Sequence, residues 1–179
     1  MVDRTLVIGF AGVAGSGKTT AAMHLLNIHG YVHTRFADPI KAMLRVLGLG
    51  SAELDGMLKE KPMALLGGKT PRYAMQTLGT EWGRDLISRT IWEDLWVERA
   101  SDCIDLGGRV VVDDVRFANE AEAVRKLGGM VIRITGRGGI AGGHISEQMD
   151  FPTDATIENS GDLGAFLDQV SALTQISLA

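Results

Sequence analysis

The segment Gly12-Val-Ala-Gly-Ser-Gly-Lys18-Thr19 fits the pattern G-x-x-x-x-G-K-[ST]. It follows an apolar, β-branched run and opens a helical one, the context that a phosphate-cradling loop requires. Each position has a physical task. Gly12, Val13, Ala14, Gly15, Ser16 and Gly17 would let backbone N–H groups converge on phosphate oxygens. Lys18 would set a point charge between the β- and γ-phosphates. The Thr19 hydroxyl could ligate Mg²⁺. Thr20 completes the segment in the first helical turn, whose N-terminus adds positive potential. This predicts nucleoside-triphosphate binding, with ATP as the expected ligand. It leaves open what the triphosphate is used for.

A second set of chemically capable residues lies at Val110-Val-Val112, which delivers Asp113 and Asp114 to the end of another apolar run. In an open α/β sheet, ligands gather at the carboxyl ends of strands. A carboxylate there can hold Mg²⁺ directly or through water. Successive strand residues point to opposite sides, so one of the two acids would face the metal. The competing role is that both cap the turn that follows.

These groups need a scaffold, and the hydrophobic pattern supplies one. Thr5–Phe10, Tyr31–Phe36, Arg109–Asp113, Met130–Ile134 and Ala155–Glu158 read as strands. Lys18–His29, Asp38–Leu47, Asn119–Leu127 and a last stretch carrying Leu163, Phe166, Leu167, Val170 and Leu173 read as helices. A short helix is expected near Ala52–Leu58. Thr70-Pro71 starts another, with Met75, Leu78, Trp82 and Leu86 on one face. Thr90 with Glu93 forms a capping box for a helix to about Leu106. Strands alternating with helices predict a parallel sheet covered on both faces. The 39–106 stretch is far longer than a minimal crossover. It reads as an inserted substrate region within a single domain spanning 1–179.

Composition fits that picture and excludes others. A chain of 179 residues with 45% hydrophobic and 22% charged residues can bury one sizeable core. A single cysteine, Cys103, excludes a disulfide framework and a multi-Cys zinc site, and fits a reducing compartment such as the cytoplasm. A net charge of −4 argues against a nucleic-acid-coating surface. The apolar runs are too short to span a bilayer, and Asp3 and Arg4 lead straight into a strand, so no signal peptide is expected. The 23 glycines cluster at 9–17 and 136–143, without a repeat. Such clusters suggest backbone approaching a ligand, or a hinge.

FADPIK (Phe36–Lys41), QTLGTEWGR (Gln76–Arg84), DDVRFANE (Asp113–Glu120), HISE (His144–Glu147) and TIENSGDL (Thr156–Leu163) follow the phosphate loop in this order. With it, they resemble the bacteriophage-type deoxynucleoside monophosphate kinases over nearly the whole chain. The resemblance implies a three-layer P-loop fold with sheet order 2-3-1-4-5. It implies transfer of the ATP γ-phosphate, with Mg²⁺, to a deoxynucleoside 5′-monophosphate. It places Asp38, Lys41, Arg72, Gln76, Trp82 and Arg84 at the acceptor nucleotide and Arg116 at the acceptor phosphate. Aligning the D-V-R-F motif favours Asp114 as the metal acid, with Asp113 as the alternative.

Bringing two polyanions together also demands cations beyond Lys18, and arginine grips phosphate bidentately. The candidates are Arg72, Arg84, Arg116, Arg133 and Arg137, each weighed against a solvated or edge-covering role. Asp38 could equally be a helix cap, and His144 could touch phosphate or cap a turn. Residues 136–150 are glycine-rich and poor in large apolar groups. They read as a lid, mobile when empty, that carries Arg137 to the transferring group.

Three rivals share parts of the pattern. A guanine-nucleotide switch usually carries N-K-x-D, which this sequence lacks. A dephospho-coenzyme A kinase or a nucleoside kinase would share the fold and differ at the acceptor. The expected partners are small-molecule nucleotides, with neither nucleic acid nor membrane, for a monomer or homodimer.

Overall fold

The structure, a computed structural model, describes residues 5–138 and 150–173. Five strands form one parallel sheet in the order β2-β3-β1-β4-β5: β1 (Val7–Ala11), β2 (Val32–Thr34), β3 (Val110–Val115), β4 (Met130–Thr135) and β5 (Ala155–Glu158). This is the order that the resemblance implies. In register, β2 runs beside β3 with Thr34 opposite Val112, and β1 runs beside β4 with Gly9 opposite Val131.

The absence of polar alternation in β1, β3 and β4 has a direct cause. Alternate residues feed two separate cores, one on each face of the sheet. Val7, Val110, Val112 and Val131 pack with Trp96 and Ala100 of α5 (Ile91–Asp105) and with Ala121 and Val124 of α6 (Ala118–Lys126). Ile8, Phe10, Val111 and Ile132 pack with Ala21, Ala22 and Leu25 of α1 (Lys18–His29). Phe166, Val170 and Leu173 of α7 (Leu163–Leu173) close the same face. The result is helix, sheet and helix in three layers.

The chain divides into two compact units. The sheet and its covering helices belong to the first, residues 5–36 with Trp96 onward. The second is Ala37–Leu95, which has its own small core of Ile40, Leu44, Leu49, Leu54 and Trp92. It contains α2 (Asp38–Val46), the short α3 (Ser51–Leu54) and α4 (Pro71–Thr77). Thr70 caps α4 as expected, its Oγ1 accepting from the Tyr73 N–H at 3.1 Å.

Past α4 the structure departs from the sequence reading. Leu78–Ile87 winds as a π-helix rather than continuing the α-helix. With wider turns, Leu78 packs inward while Trp82 is 38% and Leu86 75% exposed, so the expected single face is broken. The two glycines of this stretch have a packing reason. The Trp92 indole donates to the Gly79 carbonyl at 2.7 Å, and a Cβ on Gly83 would come within 2.4 Å of the Trp92 ring. At the start of α5, the Thr90 hydroxyl donates to Asp94 at 2.8 Å, while Glu93 is buried 3.7 Å from Arg84. Asp38 is the first residue of α2, in the turn that follows the N-cap Ala37. Among the described residues, no helix is long and apolar enough to cross a membrane.

Candidate active site

The phosphate loop sits where β1 meets α1, at the carboxyl edge of the sheet. Lys18 Nζ turns back into the loop and donates to the carbonyls of Gly12 at 2.6 Å and Val13 at 2.8 Å. A cation satisfied by two of the loop's own carbonyls can exchange them for the oxygens of an anion. Thr19 Oγ1 donates to Asp113 Oδ2 at 2.6 Å, across 94 residues of sequence. The parallel pairing of β1 with β3 creates this contact, because it brings the ends of both strands to one edge.

Strand alternation separates the two acids as expected. Asp113, 4% exposed, is the one that meets Thr19. Asp114, favoured on the motif, turns to the other side, and its Oδ1 accepts the backbone N–H of Phe36 at 3.0 Å. Asp113 also accepts from Arg35 Nε at 2.8 Å, and His33 Nε2 lies 2.9 Å from its Oδ1. Burial pushes the Asp113 carboxyl up. The His33, Arg35 and Thr19 side chains gathered around it, with the Arg35 charge, outweigh that and hold it well below the usual carboxylate range. Asp113 is therefore ionised at any physiological pH.

The sequence reading had no role for Arg35 or His33 here. A signal was present. Once β2 is placed beside β3, Thr34 lies opposite Val112, and the next residues on each strand are Arg35 and Asp113. Asn159 was also missed. It is 7% exposed, and its Nδ2 donates to the Ser16 carbonyl at 2.9 Å.

The other expected cations fall into two groups. In the first unit, Arg116 is exposed at the end of β3, and its side chain has no polar partner among the described residues. Its backbone N–H, like that of Phe117, donates to Glu120 Oε2, which fixes the turn into α6. Arg137 is exposed and donates to the Gly161 carbonyl at 2.6 Å. Arg133 donates to the Phe151 carbonyl at 2.9 Å. The Gly136–Gly138 turn lies against the phosphate loop, so close that a Cβ on Gly138 would come within 2.2 Å of the Ala14 carbonyl. A cavity of about 250 Å³ opens here, lined by Gly12, Val13, Ile134, Thr135 and Arg137 among others. Residues 139–149, with His144 and the body of the expected lid, lie outside the described residues.

In the second unit, Trp82 lines an apolar cavity of about 320 Å³ together with Leu44, Leu47, Tyr73, Thr77 and Leu78. Gln76 is exposed on α4. Arg72 is paired with Glu60 and Lys41 with Asp55, while Arg84 Nη2 lies 3.7 Å from buried Glu93. Lys41 is buried and its amine is 2.5 Å from the Asp55 carboxylate.

The fold recurs in known proteins. The structure resembles the APS kinase of Mycobacterium tuberculosis, with a TM-score of 0.51 and 16% identity, covering 95% of this chain and 96% of that one. It also resembles a sugar kinase from Janibacter sp. HTCC2649, with a TM-score of 0.54 and 14% identity over 94% of each. At such identities the likeness is one of fold alone. Sequence carries further. A protein of Acanthamoeba polyphaga mimivirus, provisionally named a deoxynucleotide monophosphate kinase, is 37% identical over 154 residues, 76% of each chain. Residues 69–170, which hold the Q-x-L-G-T-E-W-G-R and D-V-R-F motifs, Asp113 and Asn159, match the family of that same description. The chain thus belongs to the deoxynucleotide monophosphate kinase family.

Proposed function

We propose that Lys18, Thr19 and Asp113 are the core of a donor site at which ATP, with Mg²⁺, gives its γ-phosphoryl group to a deoxynucleoside 5′-monophosphate. The enzyme is a phosphotransferase with a phosphate acceptor, as its family implies. The observation that carries the donor site is the 2.6 Å contact of Thr19 with an ionised Asp113 beside the Lys18 loop. Hydroxyl and carboxylate oxygens are the hard donors that Mg²⁺ prefers, so the residues present fit that ion. Thr19 and Asp113 would hold it, and it would neutralise charge on the transferring phosphates. Arg35 and His33 keep Asp113 ionised and oriented. Phosphate oxygens take the place of the Gly12 and Val13 carbonyls on Lys18. Loop N–H groups supply the remaining donors.

Arg116 and Arg137 are assigned to the acceptor and transferring phosphates, and both are exposed and held in no buried pair among the described residues. Asp38, Gln76 and Trp82 are assigned to the acceptor nucleotide, with Lys41, Arg72 and Arg84 in support. The apolar cavity beside Trp82 has the character of a site for a base, which stacks on aromatic rings. The lid assignment for 136–150 stands on composition. On this reading the enzyme works in the cytoplasm on small-molecule nucleotides, as a monomer or homodimer.

Thermal unfolding with nucleotides tests the reading. A ligand at a hundred times its Kd stabilises by about 2.7 kcal/mol, which raises Tm by about 5–10 °C at this chain length. ATP with Mg²⁺ and at least one deoxynucleoside monophosphate should each give such a shift, and nucleosides should not. A shift with nucleosides or with a dephospho-coenzyme, and none with any monophosphate, would transfer the acceptor site to another class.

A further inference from the structure

Gly17 is the pivot of the phosphate loop. Its φ of +111° lies in the region open to glycine, and a Cβ there would come within 2.6 Å of Asn159 Nδ2 and 3.3 Å of the Phe166 ring. The Ser16–Gly17 peptide plane turns about ψ of Ser16 and φ of Gly17, and glycine at 17 leaves that φ free at little intrinsic cost. A trans peptide directs its C=O and its N–H in opposite senses. Whatever anchors the Ser16 carbonyl therefore decides where the Gly17 N–H points. That anchor is Asn159, whose side-chain amide donates to the carbonyl at 2.9 Å from a buried position. Asn159 is itself fixed. Its backbone N–H donates to the Thr135 carbonyl at 2.8 Å, and a Cβ on Gly136 would come within 3.1 Å of its backbone nitrogen. Among the described residues the Gly17 N–H has no acceptor. The buried Ser16 hydroxyl has no partner either, so it does not share in the anchoring.

We propose that Asn159 is a positioning residue for the donor phosphates. It holds the Ser16 carbonyl turned away from the anion, so that the Gly17 N–H is presented to it. Without this anchor the plane can rotate and set a carbonyl oxygen against phosphate oxygens. The inference rests on the triphosphate reading of the loop.

The test uses the full chain carrying Asn159→Leu, which keeps the branching and the number of heavy atoms, or Asn159→Ala, which only removes atoms. Neither adds charge, so repulsion cannot mimic the effect. Calorimetric Kd for ATP should weaken about tenfold in either folded variant, the scale of one anchored hydrogen bond to an anion site. The acceptor KM at saturating ATP should move less than about twofold. ATP affinity within about twofold of wild type in a folded variant would overturn the proposal. So would equal losses for ATP and acceptor, or failure of both variants to fold, since either assigns Asn159 to stability alone. A wild-type chain that does not bind ATP would sink the triphosphate reading instead.

Discussion

Lys18→Ala is expected to lower phosphoryl transfer by about a thousandfold, or about 4 kcal/mol of transition-state stabilisation. The size follows from where the charge acts. The group in flight spreads negative charge over its oxygens, and catalysis of such a step is almost wholly positioning and electrostatics. The fold should survive, because Lys18 Nζ bonds carbonyls of Gly12 and Val13 in its own loop. Circular dichroism and Tm close to wild type, with kcat reduced on this scale, would agree. Turnover near wild type would show that Lys18 is not the catalytic cation.

Asp113→Asn should cost about a hundredfold or more in rate and weaken the dependence on Mg²⁺, whereas Asp114→Asn should change both much less. The contrast follows from the opposite directions of the two side chains. Asp113 meets Thr19 and Arg35, and Asp114 meets the Phe36 backbone. An amide at 113 loses the negative charge that would face the ion and leaves the half-buried Arg35 without its counter-charge. Rates measured across a Mg²⁺ titration for both variants decide the matter. A large loss in Asp114→Asn with a small one in Asp113→Asn would restore the motif alignment's choice.

The choice between Asp113 and Asp114 shows what was legible in the sequence. The three layers and the strands β1, β3 and β4 could be read because each of those strands is an apolar run that ends at glycine or charge, and the covering helices repeat their buried positions. The phosphate loop could be read because its chemistry is local, eight consecutive residues with one geometry. The partners of Asp113 could not be read that way. His33 and Arg35 are brought to it by strand pairing across 78 to 80 residues of sequence, and only the sheet order with its register joins them. Asn159 is of the same kind, reaching Ser16 from the end of β5. The stretch from Leu78 to Ile87 failed for another reason. A 3.6-residue period cannot describe π-helical turns, and Gly83 yields to the Trp92 ring, a contact no local pattern announces. The pairing of Lys41 with Asp55 and of Arg72 with Glu60 is likewise set by packing within 37–95, where motif resemblance alone spoke.

The most direct measurement is product identification. Purified chain is incubated with ATP, Mg²⁺ and each common deoxynucleoside 5′-monophosphate in turn, and the nucleotides are separated by ion-exchange chromatography. The expected result is ADP and the matching deoxynucleoside diphosphate in equal amounts, dependent on both substrates and lost in Lys18→Ala. ADP formed without any diphosphate from any of the monophosphates, or no ADP at all from a chain that binds ATP, would contradict the account.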